Sequence, residues 1–120
     1  MREIHTTRYL SISSAGTDGN LLFGMIDALE RHLPEYGRWR ENLCGVAGCS
    51  AGCIAALAIV LGLSREARSE LYDCFDVRRV VKSADVTRLV KEYGMDNGGA
   101  LRDIVQHVLQ RGGLSPYSTM

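Results

Sequence analysis

The sequence lacks the features that mark membrane-spanning, secreted or nucleic-acid-binding proteins. Its 120 residues contain 14 Lys+Arg and 14 Asp+Glu, and this zero net charge, with no dense basic run, removes the usual electrostatic basis for binding nucleic acid. The N-terminus has no apolar core of a signal peptide. The longest apolar run, residues 51–63, is shorter than the ~20 residues of a membrane span. We therefore expect a cytoplasmic or peripheral membrane protein that does not bind nucleic acid.

Paired cysteines and clustered histidines are also missing. The four cysteines, Cys44, Cys49, Cys53 and Cys74, form no C-x-x-C pair, and the three histidines are scattered. A zinc site needs thiolate or imidazole ligands at short spacing. The sequence therefore predicts no metal and no cofactor, and we expect the thiols to be reduced and buried.

Strands alternate with helices along the first half of the chain. Apolar patterning predicts strands at 9–13 and 43–47, and helices at 21–33, 50–61, 64–75, 85–94 and from 101 to Gly112. The helix at 50–61 is apolar on all sides and is predicted to be buried all round. This order predicts one α/β domain with a parallel sheet. Two strands cannot cover these helices, so we expect further strands or a partner chain to complete the sheet.

One motif between the second strand and its helix can carry chemistry. Gly48-Cys49-Ser50-Ala51-Gly52 matches G-x-S-x-G, in which a sharp strand-to-helix turn exposes a serine nucleophile. The N-terminus of the following helix would favour a developing oxyanion. The same position also suits a serine that only caps the helix. The residues leave both interpretations open.

A second loop, residues 14–19, lies between the first strand and the first helix. Its backbone N–H groups could bind an anion. It matches neither G-x-x-x-x-G-K-[ST] nor G-x-G-x-x-G, which argues against a nucleotide site. Taken alone, it is more typical of an ordinary turn.

Together the two loops resemble the patatin-like phospholipases, a family of lipid acyl hydrolases. The resemblance runs over residues 9–114. It rests on the loop at 14–19 followed by Gly24 and the Leu29-Glu30 pair, on the motif within 46–57, on the turn at 61–64, and on residues 94–101.

The resemblance implies a three-layer α/β/α fold, of which residues 1–120 would form the N-terminal portion of one domain truncated at its C-terminus. It also implies a Ser–Asp dyad that hydrolyses a lipid ester or phospholipid, at a peripheral membrane surface, without histidine or cofactor. Ser50 would be the nucleophile. The remaining implied site residues are the oxyanion donors Ala15, Gly16, Thr17 and Ala51 and the motif glycines Gly19, Gly48 and Gly52.

The sequence departs from the family pattern in three ways. Ser14 and Ala15 replace two glycines of the loop, and Asp18 replaces a basic residue. A carboxylate ~4 Å from an oxyanion would oppose it by up to about 4 kcal/mol. The family's D-G-[GA] motif is missing, and Asp96, the nearest match, suits a helix cap. We therefore expect the catalytic Asp to lie beyond this chain.

Two alternatives remain at the level of the sequence. The first is a catalytically inactive remnant of the family that serves as a structural or assembly protein, because loop and Asp depart from the pattern. The second is an α/β-hydrolase with a Ser-His-Asp triad. It ranks lower because the triad His should follow further strands, whereas His107 lies on a helix.

Overall fold

The computed structural model describes residues 6–14, 20–74 and 99–118. Within them two strands and five helices follow one another: β1 (Tyr9–Ile12), α1 (Asn20–His32), α2 (Tyr36–Glu41), β2 (Gly45–Gly48), α3 (Ala51–Val60), α4 (Arg65–Cys74) and α5 (Gly99–Arg111). The strands pair in parallel, which confirms the α/β class. The predicted helix at 85–94 and the predicted cap at Asp96 lie outside the described residues.

The two faces of the sheet differ in burial. Leu10 and Ile12 of β1 pack into the core, whereas Tyr9 is 74% exposed and its ring lies against Gly45 of β2. Because side chains alternate between the faces of a strand, one face of the sheet is covered and the other is open. The open face carries a groove of about 320 Å³. Completion of the sheet by further strands or a partner, and the third layer, stay predictions.

Helix α3 is the centre of the described fold. It packs against both strands and against α1, α2 and α5. Its buried residues are Gly52, Ile54, Ala55, Ala56, Ala58 and Ile59. The prediction that this helix is buried all round is wrong, because Cys53 is exposed and Val60 is 54% exposed. These two residues are seven apart and share one helical face, which the neighbouring elements leave open.

The expectation that the thiols are buried is wrong for three of the four cysteines. Cys44, Cys49 and Cys53 are exposed and free. Cys44 and Cys49 flank the short strand β2, where the chain leaves the sheet, and Cys53 lies on the open face of α3. The side chain of Cys74 lies outside the described residues.

The amphipathic helices bury some of their predicted inner faces but not all. Ile26 of α1 and Val108 of α5 are completely buried, as their spacing predicts, whereas Leu21, Met25 and Leu101 are 71%, 37% and 49% exposed. Helix α1 carries apolar residues on two faces, and periodicity does not tell which of them meets the core. No helix among the described residues is long and apolar enough to cross a bilayer.

Helix α2 was not predicted, because Pro34 and Gly37 are typical of a helix end and a loop. After α1 ends, the chain turns through Glu35 at φ 56° and forms one further short helix. The Arg40 guanidinium of α2 donates to the carbonyl oxygens of Ile59 (3.3 Å) and Val60 (3.0 Å) at the end of α3. A cation there complements the helix dipole, and its bond to Ile59 adds to the one that this carbonyl accepts from the Gly62 N–H at 3.1 Å. This contact helps to fix α3 against α2.

Arg68 of α4 is a buried arginine that connects α4 to α1. Its guanidinium donates to Asp27 (Nη2–Oδ1 2.8 Å), to Glu30, and to the Leu63 carbonyl oxygen (2.8 Å). Only 3% of the side chain is exposed. Burial lowers the pKa of Arg68, but the hydrogen bonds to Glu30 and Asp27 raise it further, so that this pKa stands above its ordinary value. Arg68 therefore stays charged and pairs with two carboxylates of α1.

Replacing Arg68 by methionine is expected to lower the free energy of unfolding by about 2–4 kcal/mol, because two carboxylates lose their shared cation and the Leu63 carbonyl loses a donor. The partial exposure of both carboxylates keeps the loss below that of a fully buried pair. Urea unfolding measures it. Arg38→Met is the matched control, because Arg38 pairs with Glu35 at 3.8 Å and both side chains are largely exposed. Equal losses in the two variants would contradict the role assigned to Arg68.

Candidate active site

The carboxyl ends of the two parallel strands bring two loops together. Ile12, the last residue of β1, pairs with Gly48, the last residue of β2. The Cys49 N–H then donates to the Ile12 carbonyl oxygen at 3.1 Å, beyond the end of the ladder. The turn that carries Ser50 therefore starts directly beside the loop that follows β1. This edge of a parallel sheet is where α/β proteins bind ligands.

Ser50 occupies a strained backbone conformation between β2 and α3. Its φ is 53° and its ψ is −123°, and the residue is exposed. A non-glycine residue held in such a region costs on the order of 1–3 kcal/mol. The turn is held by hydrogen bonds from the Gly52 N–H to the Cys49 carbonyl oxygen and from the Cys53 N–H to the Ser50 carbonyl oxygen, both 2.9 Å. The surrounding backbone thus maintains a conformation that Ser50 would otherwise avoid.

The Ser50 hydroxyl makes no capping hydrogen bond to α3. Ser64 provides a comparison within the same chain, because it precedes α4 and its hydroxyl accepts the Ala67 N–H at 3.2 Å. That bond is the one expected of an N-cap serine, and it confirms the cap predicted at Ser64. The capping interpretation of Ser50 has no such bond to support it. The Ser64 hydroxyl thus caps a helix, whereas the Ser50 hydroxyl does not.

The two motif glycines are required by close contacts between backbones. A Cβ placed on Gly48 would lie 2.4 Å from the Gly52 carbonyl oxygen and 2.6 Å from the Cys53 nitrogen. A Cβ on Gly52 would lie 2.6 Å from the Ile12 carbonyl oxygen and 2.7 Å from that of Ser13. These distances are far below van der Waals contact, and main-chain atoms cannot swing aside. Both glycines therefore let α3 start directly against the ends of the strands.

The backbone contributes a partial positive charge at this turn. Residues 43–63 contain no charged side chain. Helix α3 presents its N-terminus at the turn, where backbone N–H groups carry a partial positive charge. The Ala51 N–H donates to no acceptor among residues 6–14, 20–74 and 99–118. An unpaired N–H next to Ser50 can donate to an oxygen that develops negative charge.

Several residues of the predicted site belong to the loop after β1. Ala15, Gly16, Thr17, Asp18 and Gly19 lie outside the described residues. The loop that leads to them passes the turn closely, as the contact between the Ser13 carbonyl and the Gly52 position indicates. The assignments of oxyanion donors to this loop therefore stay predictions, and so does the effect of Asp18.

His107 faces another helix. Its Nε2 lies 3.7 Å from a carboxylate oxygen of Glu70 on α4, and both oxygens of Glu70 accept from Arg111 at 3.0 Å. These contacts connect α5 to α4. They give no support to a triad in which His107 would serve Ser50.

Five of the described carboxylates form ion pairs with arginines. Asp27 and Glu30 pair with Arg68, and Glu70 pairs with Arg111. The exposed Glu35 and Glu41 lie 3.8 Å from arginines of α2. Within the same residues, no three His, Cys, Asp or Glu side chains gather where they could hold a metal ion.

Sequence reasoning missed the role of Cys53. The residue was assigned to a helix buried all round, yet its exposed thiol donates to the Gly48 carbonyl oxygen at 3.0 Å. The available signal was its position three residues after the motif serine, in the first turn of the helix, where a side chain reaches back toward the preceding strand.

One of the comparisons with known proteins finds a match. The sequence profile of the patatin-like phospholipase family matches residues 10–119. No curated protein and no solved structure matches the chain. The matched segment contains β1 from Leu10 onward, the loop after it, β2 and the Ser50 turn. The chain belongs to the patatin-like phospholipase family.

Proposed function

We propose that the protein is a lipid acyl hydrolase and that Ser50 is its nucleophile. The observation that carries the proposal is the state of Ser50: strained (φ 53°), exposed, and free of any capping bond to α3. Strain of this kind clusters at functional sites. A serine retained only to cap the helix would have no reason for such a conformation. The turn, with Gly48 and Gly52 at its ends, has the character of a nucleophile elbow.

In the proposed reaction the Ser50 Oγ attacks the carbonyl carbon of a lipid ester. The serine proton passes to a general base and from there to the departing oxygen, so that the alcohol or lysolipid leaves and an acyl-enzyme forms. Water then attacks the acyl-enzyme and releases the fatty acid. The exposed position of Ser50 at the sheet edge would let an ester approach from solvent or from a lipid surface.

The negative charge of the tetrahedral intermediate needs donors that are already in place. The Ala51 N–H is proposed as one donor, because it is unpaired among the described residues and belongs to the first residue of α3. The loop after β1 is proposed to supply the others, from Ala15, Gly16 and Thr17. Support for this comes from the Ser13 carbonyl, which lies beside Gly52, so that the described start of this loop lies next to the Ser50 turn.

The general base is proposed to be an aspartate beyond these 120 residues, as the family pattern implies. The pairing of Asp27, Glu30 and Glu70 with arginines agrees with this, since each is already used to join helices. No observation among the described residues favours the inactive-scaffold alternative over hydrolysis. A scaffold would not need an exposed serine in a strained conformation.

Lipid hydrolysis is tested with two ester lipids and with an ether lipid that lacks the bond attacked. The full-length protein is incubated with vesicles of diacyl phosphatidylcholine, with a triacylglycerol emulsion, and with diether phosphatidylcholine as the matched control. We expect fatty acid release from at least one ester lipid and none from the diether lipid. If no acyl lipid releases fatty acid, the proposal is contradicted and the scaffold alternative takes its place.

A further inference from the structure

The thiol of Cys53 spans the turn that carries Ser50. Its sulfur donates to the carbonyl oxygen of Gly48 at 3.0 Å, so that the first turn of α3 is joined to the last residue of β2. The backbone N–H of the same residue donates to the Ser50 carbonyl oxygen at 2.9 Å. Cys53 therefore contacts the turn on both sides of Cys49 and holds the residues before and after it.

The Gly48 carbonyl belongs to the peptide that leads into the strained turn. The orientation of this peptide sets the direction in which the chain enters Cys49 and then Ser50. The turn after it is held by backbone bonds, from Cys49 to Ile12 and from Gly52 to Cys49. The Cys53 thiol is the described side chain that donates to this entry peptide. A strained conformation persists only when several independent contacts of the surrounding structure hold it in place.

We propose that Cys53 is a positioning residue that orients the Ser50 hydroxyl for attack, an inference that rests on the proposed function. The thiol fixes the Gly48 peptide, the peptide fixes the start of the turn, and the turn aims Ser50 at the ester carbonyl. Small displacements of a reacting group reduce rates steeply. A thiol is a weak donor, so the loss of its hydrogen bond should slow acylation by about 3- to 10-fold and not abolish it.

The exposure of Cys53 separates this role from ordinary packing. The side chain faces solvent on the open face of α3. Its truncation to alanine therefore leaves no cavity in the core. A serine at this position keeps an O–H donor of similar size. The hydrogen bond to Gly48 can therefore be removed or retained with little effect on the core.

The experiment measures how fast a fluorophosphonate probe phosphonylates Ser50 in the full-length protein. The inactivation rate constant and the probe's apparent binding constant are determined separately for wild type, Cys53→Ala, Cys53→Ser and Cys44→Ala, each with its melting temperature. Cys44 is the matched control, because it is also exposed and free but lies before β2. We expect Cys53→Ala to lower the rate constant by about 3- to 10-fold with an unchanged binding constant. Cys53→Ser should restore most of the rate, and Cys44→Ala should equal wild type.

Two results would overturn the inference alone. One is an equal rate constant in wild type and Cys53→Ala. The other is a slow Cys53→Ala protein that Cys53→Ser does not rescue and that melts at lower temperature, which is the outcome of a merely structural role. If wild type is not phosphonylated at Ser50 at all, the proposed function fails and this inference fails with it.

Discussion

Ser50→Ala is expected to lower the kcat/KM of lipid ester hydrolysis by about a thousand-fold or more, with no loss of stability. The kinetic loss follows because alanine has no group that can form the acyl-enzyme. Stability should stay unchanged because the Ser50 hydroxyl makes no capping bond, and alanine occupies the same backbone conformation at similar cost. Fatty acid release and urea unfolding are measured on the same preparation.

Ser64→Ala is the matched control and should give the opposite pattern. Its hydroxyl caps α4 through the Ala67 N–H, so that alanine should cost about 1 kcal/mol of unfolding free energy. Turnover of lipid esters should equal that of wild type. Retained turnover in Ser50→Ala would show that Ser50 is not the nucleophile. A stability loss there as large as in Ser64→Ala would show that its hydroxyl caps α3.

Gly48→Ala and Gly52→Ala are each expected to lower the free energy of unfolding by about 3 kcal/mol or more, because each new Cβ would overlap main-chain atoms of another segment. At Gly48 the overlap is with the first turn of α3, at 2.4–2.6 Å, and at Gly52 it is with the carbonyl oxygens of Ile12 and Ser13, at 2.6 and 2.7 Å. Relief requires α3 to move away from the sheet, which would displace Ser50. Urea unfolding gives the stability, and probe labelling gives the state of the site.

Gly24→Ala provides the control for these substitutions. Gly24 lies within α1, and a Cβ there would meet no atom of another described segment within 4 Å. Alanine favours a helix over glycine by about 0.5–1 kcal/mol, so this variant should be as stable as wild type or more so. Equal effects at Gly24 and Gly48 would contradict the close approach of α3 to β2.

Local signals in the sequence predict much of the fold. Pro34 ends α1 as expected, and Ser64 caps α4 as expected. Each of these outcomes depends on residues a few positions apart, so that the sequence contains all the information needed. The sequence does not predict α2, because Gly37 has a low helix propensity. In the folded chain the burial of Trp39 outweighs this low propensity.

The burial of individual side chains is harder to predict, because it depends on which surfaces of each helix the other elements cover. Leu21 and Phe23 are both apolar and close in sequence, yet the first is 71% exposed and the second 6%. Cys53 and Ile54 both count as apolar residues in the sequence, although only Ile54 faces the core. The position of an element relative to its neighbours decides these cases, and a single sequence does not state it.

The candidate site also has features that the sequence predicts and features that only the structure shows. The motif predicted which residue should sit on the turn, but two interpretations of Ser50 remained open at that stage. The structure adds the strained φ, the missing cap bond and the contacts that forbid a side chain at Gly52. The contacts at Gly52 join segments far apart in sequence, because they involve the carbonyls of Ile12 and Ser13. The φ of Ser50 and its missing cap bond are local features, but the motif fits both interpretations of Ser50 and does not specify them.

The most direct test of the proposal that Ser50 is the nucleophile is to locate a covalent adduct. The full-length protein is treated with a fluorophosphonate probe, digested, and examined by tandem mass spectrometry, with a sample pre-incubated with a lipid ester for comparison. The proposal predicts an adduct on Ser50 that the lipid ester diminishes and that Ser50→Ala lacks. An adduct on another serine, or labelling that persists in Ser50→Ala, would contradict it.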